Sequence, residues 1–478
     1  MGNEKMEKGE YLEKTQSMVT IDGSFNTSST LKLTDNGTKK GIEADDTYEP
    51  FSNRDMTHAT SNSGAFFHLL KSSLGSGILA MPNAFKNGGL IFGIVGTILT
   101  GIICTYCVHM LVICSQILSA RVKKPTLGFA ETAEVAFQTG PTKYKQWAGF
   151  AREFVYGALF ATYYFGNTVY VVLIATSFKQ VMDSNLGLDW DIRIYILFLA
   201  LPLVPVGIIR TLKYLVPFSA MATVFIMVGL GFTIAYTLED LPPVTSRHYF
   251  TSWHQLPLFF STVLFAMEGI GTVIPIENSM KNPGHFLGCP GVLNIAMIIV
   301  VNLYGCVGFF GYLKYGDETK GSVTLNLPAT ALAESIKILV ALSILFTYGL
   351  QFTVPTEIVW KRISHKFSEE NQEKGYYIMR AFMILGTVVV ASAVPNLSPA
   401  ISLVGAICLS TLGLFCPAVI DTITFWEEDI TASGIPWRWW KNAAIAIAAL
   451  LALLSGTYAS LIEMIHEYSQ LPPIAPVE

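Results

Sequence analysis

Long apolar stretches separated by short polar loops dominate the chain from about residue 63 onward. The first sixty or so residues are instead rich in Lys, Glu, Asp, Ser and Thr. A bilayer core of about 30 Å calls for about twenty apolar residues per helix. Eleven stretches meet this requirement, which predicts an all-α membrane protein with eleven transmembrane helices. The predicted spans are 64–85, 91–118, 149–175, 192–209, 215–236, 258–276, 292–312, 333–360, 377–394, 401–425 and 442–465.

These spans divide the chain into three parts. Residues 1–62 are predicted to be a disordered tail, residues 63–465 a transmembrane domain in the lipid bilayer, and residues 466–478 a short second tail. The loops after the second and eighth spans carry many Lys and Arg residues, so the positive-inside rule places them and the N-terminus in the cytosol. An odd number of spans then places the C-terminal tail outside the cell or in a lumen.

Composition narrows the class of protein. The 478 residues are 51% hydrophobic and only 14% charged, whereas soluble domains carry about 25% charged residues. The net charge of -4 does not indicate a nucleic-acid partner. The sequence shows no clear nucleophile–base pair and no metal cluster. Cys104 and Cys107 have the spacing of a redox or metal pair, but small buried side chains within a span are the favoured interpretation, so we expect neither an enzyme nor a bound metal or cofactor.

Glycine pairs interrupt two of the spans. The first span contains "HLLKSSLGSGILAMP", with Gly75 and Gly77 near its middle. The sixth span contains a second glycine pair, Gly269 and Gly271, in "FAMEGIGTVIP". The first pair also fits a dinucleotide-binding loop, but that loop needs a strand before it and a soluble βαβ unit around it. The context therefore excludes the dinucleotide interpretation.

The positions of the two pairs favour a transporter. The first and sixth spans cross the membrane in opposite directions, as two inverted five-helix repeats plus one extra helix would require. Unwound backbone survives within a bilayer only where it is buried in protein or lines a polar cavity. Half-helix ends would suit a substrate that carries both a carboxylate and an ammonium group, such as an amino acid. The alternative is that the glycines only allow close helix packing.

Candidate substrate-binding residues surround these pairs and extend to two other spans. Polar side chains of the third and eighth spans would line a pocket between the repeats, although each is also typical of helix packing. The candidates are Ser73, Gly75, Ser76, Gly77, Tyr164, Asn167, Glu268, Gly269, Gly271, Tyr348 and Gln351.

Ionisable residues within the spans are candidates for proton coupling, because charge in a membrane is costly. His68 changes charge near pH 6.5, but helix rise places it about 10 Å to the cytosolic side of Gly75. Glu268 adjoins the second glycine pair, where it would meet an ammonium group, carry a proton or serve a structural role. Lys71 lies at a depth similar to that of Glu277 and could pair with it.

A short motif in the tail suggests a protein partner. Residues Tyr48 to Phe51 have the form of a tyrosine-based sorting signal, which would recruit a sorting adaptor and favour endosomes and lysosomes. Four-residue matches also arise by chance.

Three longer segments carry a resemblance to a known family. "FFHLLKSSLGSGILAMPNAFKNGG", "FAMEGIGTVIPIENSMKNP" and "YGDETKGSVTLNLP" resemble the proton-coupled amino acid transporters of the amino acid/auxin permease group, and most closely its insect branch. The resemblance covers residues 63–463. It implies a LeuT/APC-like fold and proton-coupled symport of small amino acids across the plasma or lysosomal membrane.

The same resemblance bears on the coupling residue and on an alternative function. The family's first-span histidine corresponds to His68, which the resemblance implies is a proton-coupling residue. Some insect relatives imply an alternative, a sensor with low flux that signals nutrient state to growth control. Measured flux against an imposed pH gradient would separate the two.

Overall fold

The computed structural model describes residues 50–54, 59–209, 212–267, 269–288, 290–431 and 437–469. Within these residues the regular structure is helical, and there is no β-strand apart from one isolated bridge between Thr60 and Met280. The all-α class predicted from the apolar spans is confirmed.

Nineteen α-helices, numbered here in chain order, make up the described residues together with one π-helical segment and short 3-10 turns. The first ten are α1 (Asn62–Ser73), α2 (Ser76–Gly88), α3 (Leu90–Arg121), α4 (Phe129–Thr139), α5 (Ala148–Leu186), α6 (Ile192–Phe198), α7 (Ala200–Ile208), α8 (Leu212–Leu238), α9 (Leu256–Ala266) and α10 (Ile270–Asn278). The others are α11 (Gly284–Leu287), α12 (Val292–Tyr315), α13 (Ala331–Gln351), α14 (Thr353–Ile363), α15 (Gln372–Ala393), α16 (Leu397–Val404), the π segment (Gly405–Phe415), α17 (Cys416–Thr424), α18 (Trp426–Thr431) and α19 (Trp437–Ser469).

Nine helical stretches of the described chain are long and apolar enough to cross a membrane. The other two predicted spans correspond to the interrupted pair α1–α2 and to the shorter apolar stretch Ile192–Ile208. The count of eleven spans and the inverted repeats therefore stay predictions.

Apolar side chains face outward on the peripheral helices. Exposed examples include Ile102 on α3, Phe382 and Val389 on α15, and Leu454 on α19. Large exposed apolar surfaces are unusual in soluble monomers, but a hydrocarbon environment accommodates them. These faces are suited to contact with lipid.

The centre of the molecule is formed by α2, which packs against both α9 and α12. Every residue of α2 except Lys86 is buried, and so are most residues of α9. Helices that are buried on nearly every side lie in the core of a larger bundle. The interrupted helices therefore lie in the interior, where unwound backbone can be shielded from lipid.

Ordered structure also precedes the predicted domain boundary at residue 62. A 3-10 turn spans Pro50–Asn53, and Arg54 after it is buried. Thr60 donates its amide to the Ser279 carbonyl at 2.8 Å and accepts from the Lys281 amide at 2.9 Å. This end of the tail thus packs against the chain that follows α10.

Candidate substrate site at two interrupted helices

The first interruption separates α1 from α2 at Leu74 and Gly75. Ser61 begins α1 by accepting a hydrogen bond from the Gly64 amide through its side chain. The helix ends at Ser73, where the Gly75 amide donates to the Ser73 carbonyl at 2.9 Å. Gly75 itself is extended, with φ -105° and ψ -151°, and α2 begins at the next residue. The glycine pair therefore stands where the helix is interrupted.

The second interruption carries the same kind of hydrogen-bonded turn, although Gly269 has φ -108° and ψ -12° where Gly75 is extended. Helix α9 ends at Ala266, and the Gly269 amide donates to the Met267 carbonyl at 2.7 Å. Helix α10 starts at Ile270, and the Thr272 hydroxyl donates to the Gly269 carbonyl at 2.9 Å. Both interruptions thus carry a tight turn from a glycine amide to the carbonyl two residues before it.

The two interruptions lie against each other. A Cβ built on Gly77 would lie 2.5 Å from Cα of Ala266, so the absence of a side chain lets α2 touch the end of α9. A Cβ built on Gly269 would lie 3.4 Å from the Ser73 hydroxyl oxygen. The fold therefore brings together six of the predicted residues: Ser73, Gly75, Ser76, Gly77, Gly269 and Gly271.

Helix α5 presents a polar face to both interruptions. A Cβ on Gly75 would lie 3.9 Å from the Tyr170 hydroxyl, and one on Gly271 would lie 2.6 Å from the Tyr163 hydroxyl. Asn167 lies between these tyrosines in sequence and is fully buried. Its amide nitrogen donates to the Tyr163 carbonyl at 2.6 Å, and its side-chain oxygen has no protein partner. Sequence reasoning identified Asn167 but missed both tyrosines, which share its helical face at i−4 and i+3.

Helix α12 adds a residue that sequence reasoning also missed. The Tyr304 hydroxyl is hydrogen-bonded to the carbonyls of Ser73 and Ala266, and the bond to Ala266 measures 2.9 Å. These are the last residues of α1 and α9. Tyr304 therefore joins the C-terminal ends of both half-helices.

Two predicted residues bond elsewhere in the bundle. The Tyr164 hydroxyl donates to the Met383 carbonyl of α15 at 3.0 Å. The Tyr348 hydroxyl lies 2.9 Å from that of Thr387, also on α15. Gln351 lies at the end of α13, and its side-chain oxygen is buried without a protein partner. The hydroxyls of Tyr164 and Tyr348 thus link α5 and α13 to α15.

Lys71 and Glu277 do not pair with each other, and each has a different partner. Lys71 donates to the Ser219 hydroxyl of α8. The partner of Glu277 is Arg54, at 3.6 Å, with both side chains at most 2% exposed. Glu277 also accepts from Gln116 at 2.8 Å. The predicted Lys71–Glu277 pair is wrong because the ordered end of the tail supplies a nearer cation.

The remaining coupling candidates are His68 and Glu268. His68 is exposed on α1, one turn before Lys71. Glu268 lies outside the described residues.

An apolar cavity adjoins the interruptions on the side of α3 and α12. Ser73, Met267 and Gly269 form part of its wall, and the rest is mostly aliphatic. Both interruptions therefore border an internal space, and hydroxyl groups of α5 lie near Gly75 and Gly271.

The half-helix ends supply charge complementarity for a zwitterion. The N-terminal ends of α2 and α10 present free amides, which favour an anionic group. The C-terminal ends of α1 and α9 present carbonyls, which favour a cationic group. Opposite helix ends of this kind suit a small molecule that carries both charges.

Comparison with known proteins points to a class of transporters. Residues 58–462 match the family model described as transmembrane amino acid transporter protein. The chain is 41% identical over 433 residues to the proton-coupled amino acid transporter-like protein pathetic of Drosophila melanogaster, covering 90% of this chain and 91% of that protein. It is 25% identical to the probable amino acid transporter skat-1 of Caenorhabditis elegans, covering 86% of this chain and 91% of that protein.

A solved structure shares the fold. The structure of MHP1, a nucleobase-cation-symport-1 family transporter in a closed conformation with bromovinylhydantoin bound, aligns with a TM-score of 0.51 at 13% identity. The alignment covers 86% of this chain and 93% of that one.

Proposed function

Because this chain belongs to the transmembrane amino acid transporter family, we propose that it carries small amino acids across a membrane together with protons. The observation that carries the proposal is the contact between the two interruptions, where Gly77 meets the end of α9. The amide ends of two half-helices and the carbonyl ends of two others meet there in the interior of the bundle, which is the arrangement that transporters use for small charged substrates.

The substrate would lie between the interruptions and α5. Its carboxylate would accept hydrogen bonds from the amides that begin α2 and α10, and its ammonium would approach the carbonyls in the last turns of α1 and α9 that Tyr304 does not occupy. Ser76 supports this placement, because its buried hydroxyl has no protein partner. Tyr170, whose hydroxyl lies 3.9 Å from a Cβ built on Gly75, limits the space and favours a small side chain.

His68 is the proposed coupling residue. It is exposed on the half-helix that contains Ser73, and an imidazole changes charge between the pH of an acidic compartment and that of the cytosol. Glu268 remains the second candidate, because a carboxylate next to the second interruption could exchange a proton as the substrate ammonium arrives.

The proposed orientation places the N-terminus in the cytosol, with the protein in the plasma membrane or the lysosomal membrane. The basic loops support this orientation. A sorting adaptor at Tyr48 to Phe51 is part of the same proposal; Tyr48 and the residue after it lie outside the described residues.

One observation favours a sensor as the second candidate function. The ordered end of the tail is tied to the end of α10 through Arg54 and Glu277. A movement of α10 on substrate binding would therefore be transmitted to the tail, where a signalling partner could detect it.

Uptake of a panel of radiolabelled amino acids tests the proposal. Membrane potential is clamped and external pH is set to acidic or neutral. We expect small amino acids to enter faster at acidic pH. Binding without pH-stimulated flux would favour the sensor. The absence of both binding and flux would refute the site.

A further inference from the structure

A tyrosine hydroxyl occupies the point where the C-terminal ends of two half-helices converge. Tyr304 is fully buried, and its hydroxyl is hydrogen-bonded to the Ser73 carbonyl and, at 2.9 Å, to the Ala266 carbonyl. Ser73 ends α1 and Ala266 ends α9. A single side chain of α12 thus reaches the interruptions of both helices.

These two carbonyls form an electronegative pair. The last carbonyls of a helix have no partner in a following turn of that helix. The Ser73 carbonyl accepts the Gly75 amide of the interruption instead, and both carbonyls carry the negative end of the helix dipole. In transporters with interrupted helices, such carbonyls commonly coordinate the coupling cation. Two half-helix ends that meet at one point therefore form the core of a site for an alkali cation, unless a protein donor is present.

We infer that the Tyr304 hydroxyl takes the place of an alkali cation at this point and so excludes sodium from the coupling reaction. The inference rests on the proposed transport function. The phenol supplies one proton, which the two carbonyls share or accept in turn, whereas a bound Na⁺ would contact both at once. Because the donor is covalently part of the protein, the ends of α1 and α9 stay neutralised without a bound ion, and coupling is left to protons.

Tyr304→Phe is the direct test, because it removes the hydroxyl and keeps the ring. The matched control is Tyr312→Phe, which removes a hydroxyl from a nearly fully buried tyrosine two turns further along α12. Each protein is purified in detergent, and its melting temperature is measured in NaCl, LiCl and choline chloride at equal ionic strength.

We expect wild type and Tyr312→Phe to melt at the same temperature in all three salts. Tyr304→Phe should melt at a lower temperature in choline and recover by about 2 °C or more in NaCl, because a ligand that binds the folded state stabilises it. Equal melting of Tyr304→Phe in NaCl and choline would overturn the inference. Stabilisation of the wild type by Na⁺ would overturn it too.

Uptake at a fixed pH gradient gives a second measurement. Loss of a donor to buried carbonyls costs about 1–3 kcal/mol, or roughly fivefold or more in binding. Tyr304→Phe should therefore take up substrate at least about fivefold more slowly in choline and be accelerated by Na⁺. Uptake by this variant that is independent of Na⁺ at normal surface levels would contradict the inference.

Failure of the transport proposal is distinguishable from failure of this inference. Absence of pH-driven uptake by the wild type in every salt would refute transport, whereas the melting comparison does not depend on flux. If Tyr304→Phe does not fold, Tyr304→Leu is tested in the same way. If neither variant folds in any salt, the hydroxyl serves folding rather than ion exclusion, and the inference fails.

Discussion

Replacing Gly77 with alanine tests the contact between the two interruptions. The added Cβ would lie 2.5 Å from Cα, 3.0 Å from the carbonyl oxygen and 3.2 Å from the carbonyl carbon of Ala266. All three atoms belong to the backbone, so no side-chain rotation relieves the overlap. Carbon atoms in contact are normally about 3.5–4.0 Å apart, so α2 and α9 would have to separate by about 1 Å.

This separation has an energetic and a functional consequence. Overpacking of a well-packed interior costs about 1–3 kcal/mol, and the intrinsic helix preference of alanine over glycine returns at most about 1 kcal/mol. We expect Gly77→Ala to lower the free energy of unfolding by about 1–2 kcal/mol. The same displacement moves the half-helix ends that would hold the substrate. Because a misplacement of about 1 Å can slow a reaction about a hundredfold, Gly77→Ala should also reduce acid-stimulated uptake more than tenfold.

Two other glycines calibrate the experiment. A Cβ on Gly305 of α12 meets nothing within 4 Å, so Gly305→Ala should leave uptake and melting temperature unchanged or slightly raise the latter. A Cβ on Gly271 meets the Tyr163 hydroxyl at 2.6 Å. That hydroxyl is the end of a side chain that can move, so Gly271→Ala should have an intermediate effect. Uptake and melting temperature are measured at matched surface levels, and Gly77→Ala behaving like Gly305→Ala would refute the reasoning.

Three further substitutions follow from the contacts of individual side chains. Arg54→Ala leaves the buried Glu277 carboxylate without its cation, so it should destabilise the protein by about 3–5 kcal/mol. The double variant Arg54→Ala/Glu277→Gln should recover most of this loss in thermal unfolding. Equal stability of the single and the double variant would contradict the pairing. His68→Ala should abolish acid stimulation of uptake at normal surface levels, whereas Glu268→Gln should mainly raise the substrate concentration for half-maximal uptake; the reverse pattern would assign the proton to the carboxylate. Tyr164→Phe should keep wild-type substrate affinity and lose about 1 kcal/mol of stability, because its hydroxyl bonds to α15; a large loss of affinity instead would place Tyr164 in the substrate site.

Local signals in the sequence were enough to locate the interruptions. Glycine pairs at matching positions of the first and sixth spans predict unwound backbone, and the helices are indeed interrupted at Gly75 and Gly269. A glycine pair alone is not sufficient, because Gly229 and Gly231 lie within the continuous helix α8. The apolar length of each segment likewise indicated a helical membrane protein. Both signals depend only on residues close together in the chain, which is why they can be interpreted without a structure.

Residues whose partners come from distant helices could not be found in this way. Tyr304 lies in a run of aliphatic and aromatic residues, and its role depends on two backbone carbonyls that tertiary packing brings to it. Arg54 lies in a tail of polar composition. Its burial depends on its ion pair with Glu277, which lies more than two hundred residues later in the sequence. Conversely, Tyr164 has the polar character of a binding residue, but its hydroxyl bonds to the Met383 carbonyl.

Coupled movement of protons and amino acid in a purified system tests the central claim most directly. The protein is reconstituted into liposomes that contain a pH-sensitive dye, membrane potential is held at zero, and an inward gradient of a small amino acid is imposed. We expect the lumen to acidify as the amino acid enters, and neither acidification nor entry to occur with Gly77→Ala. Entry of the amino acid without acidification, or acidification that does not depend on the amino acid, would contradict proton-coupled transport at the interrupted helices.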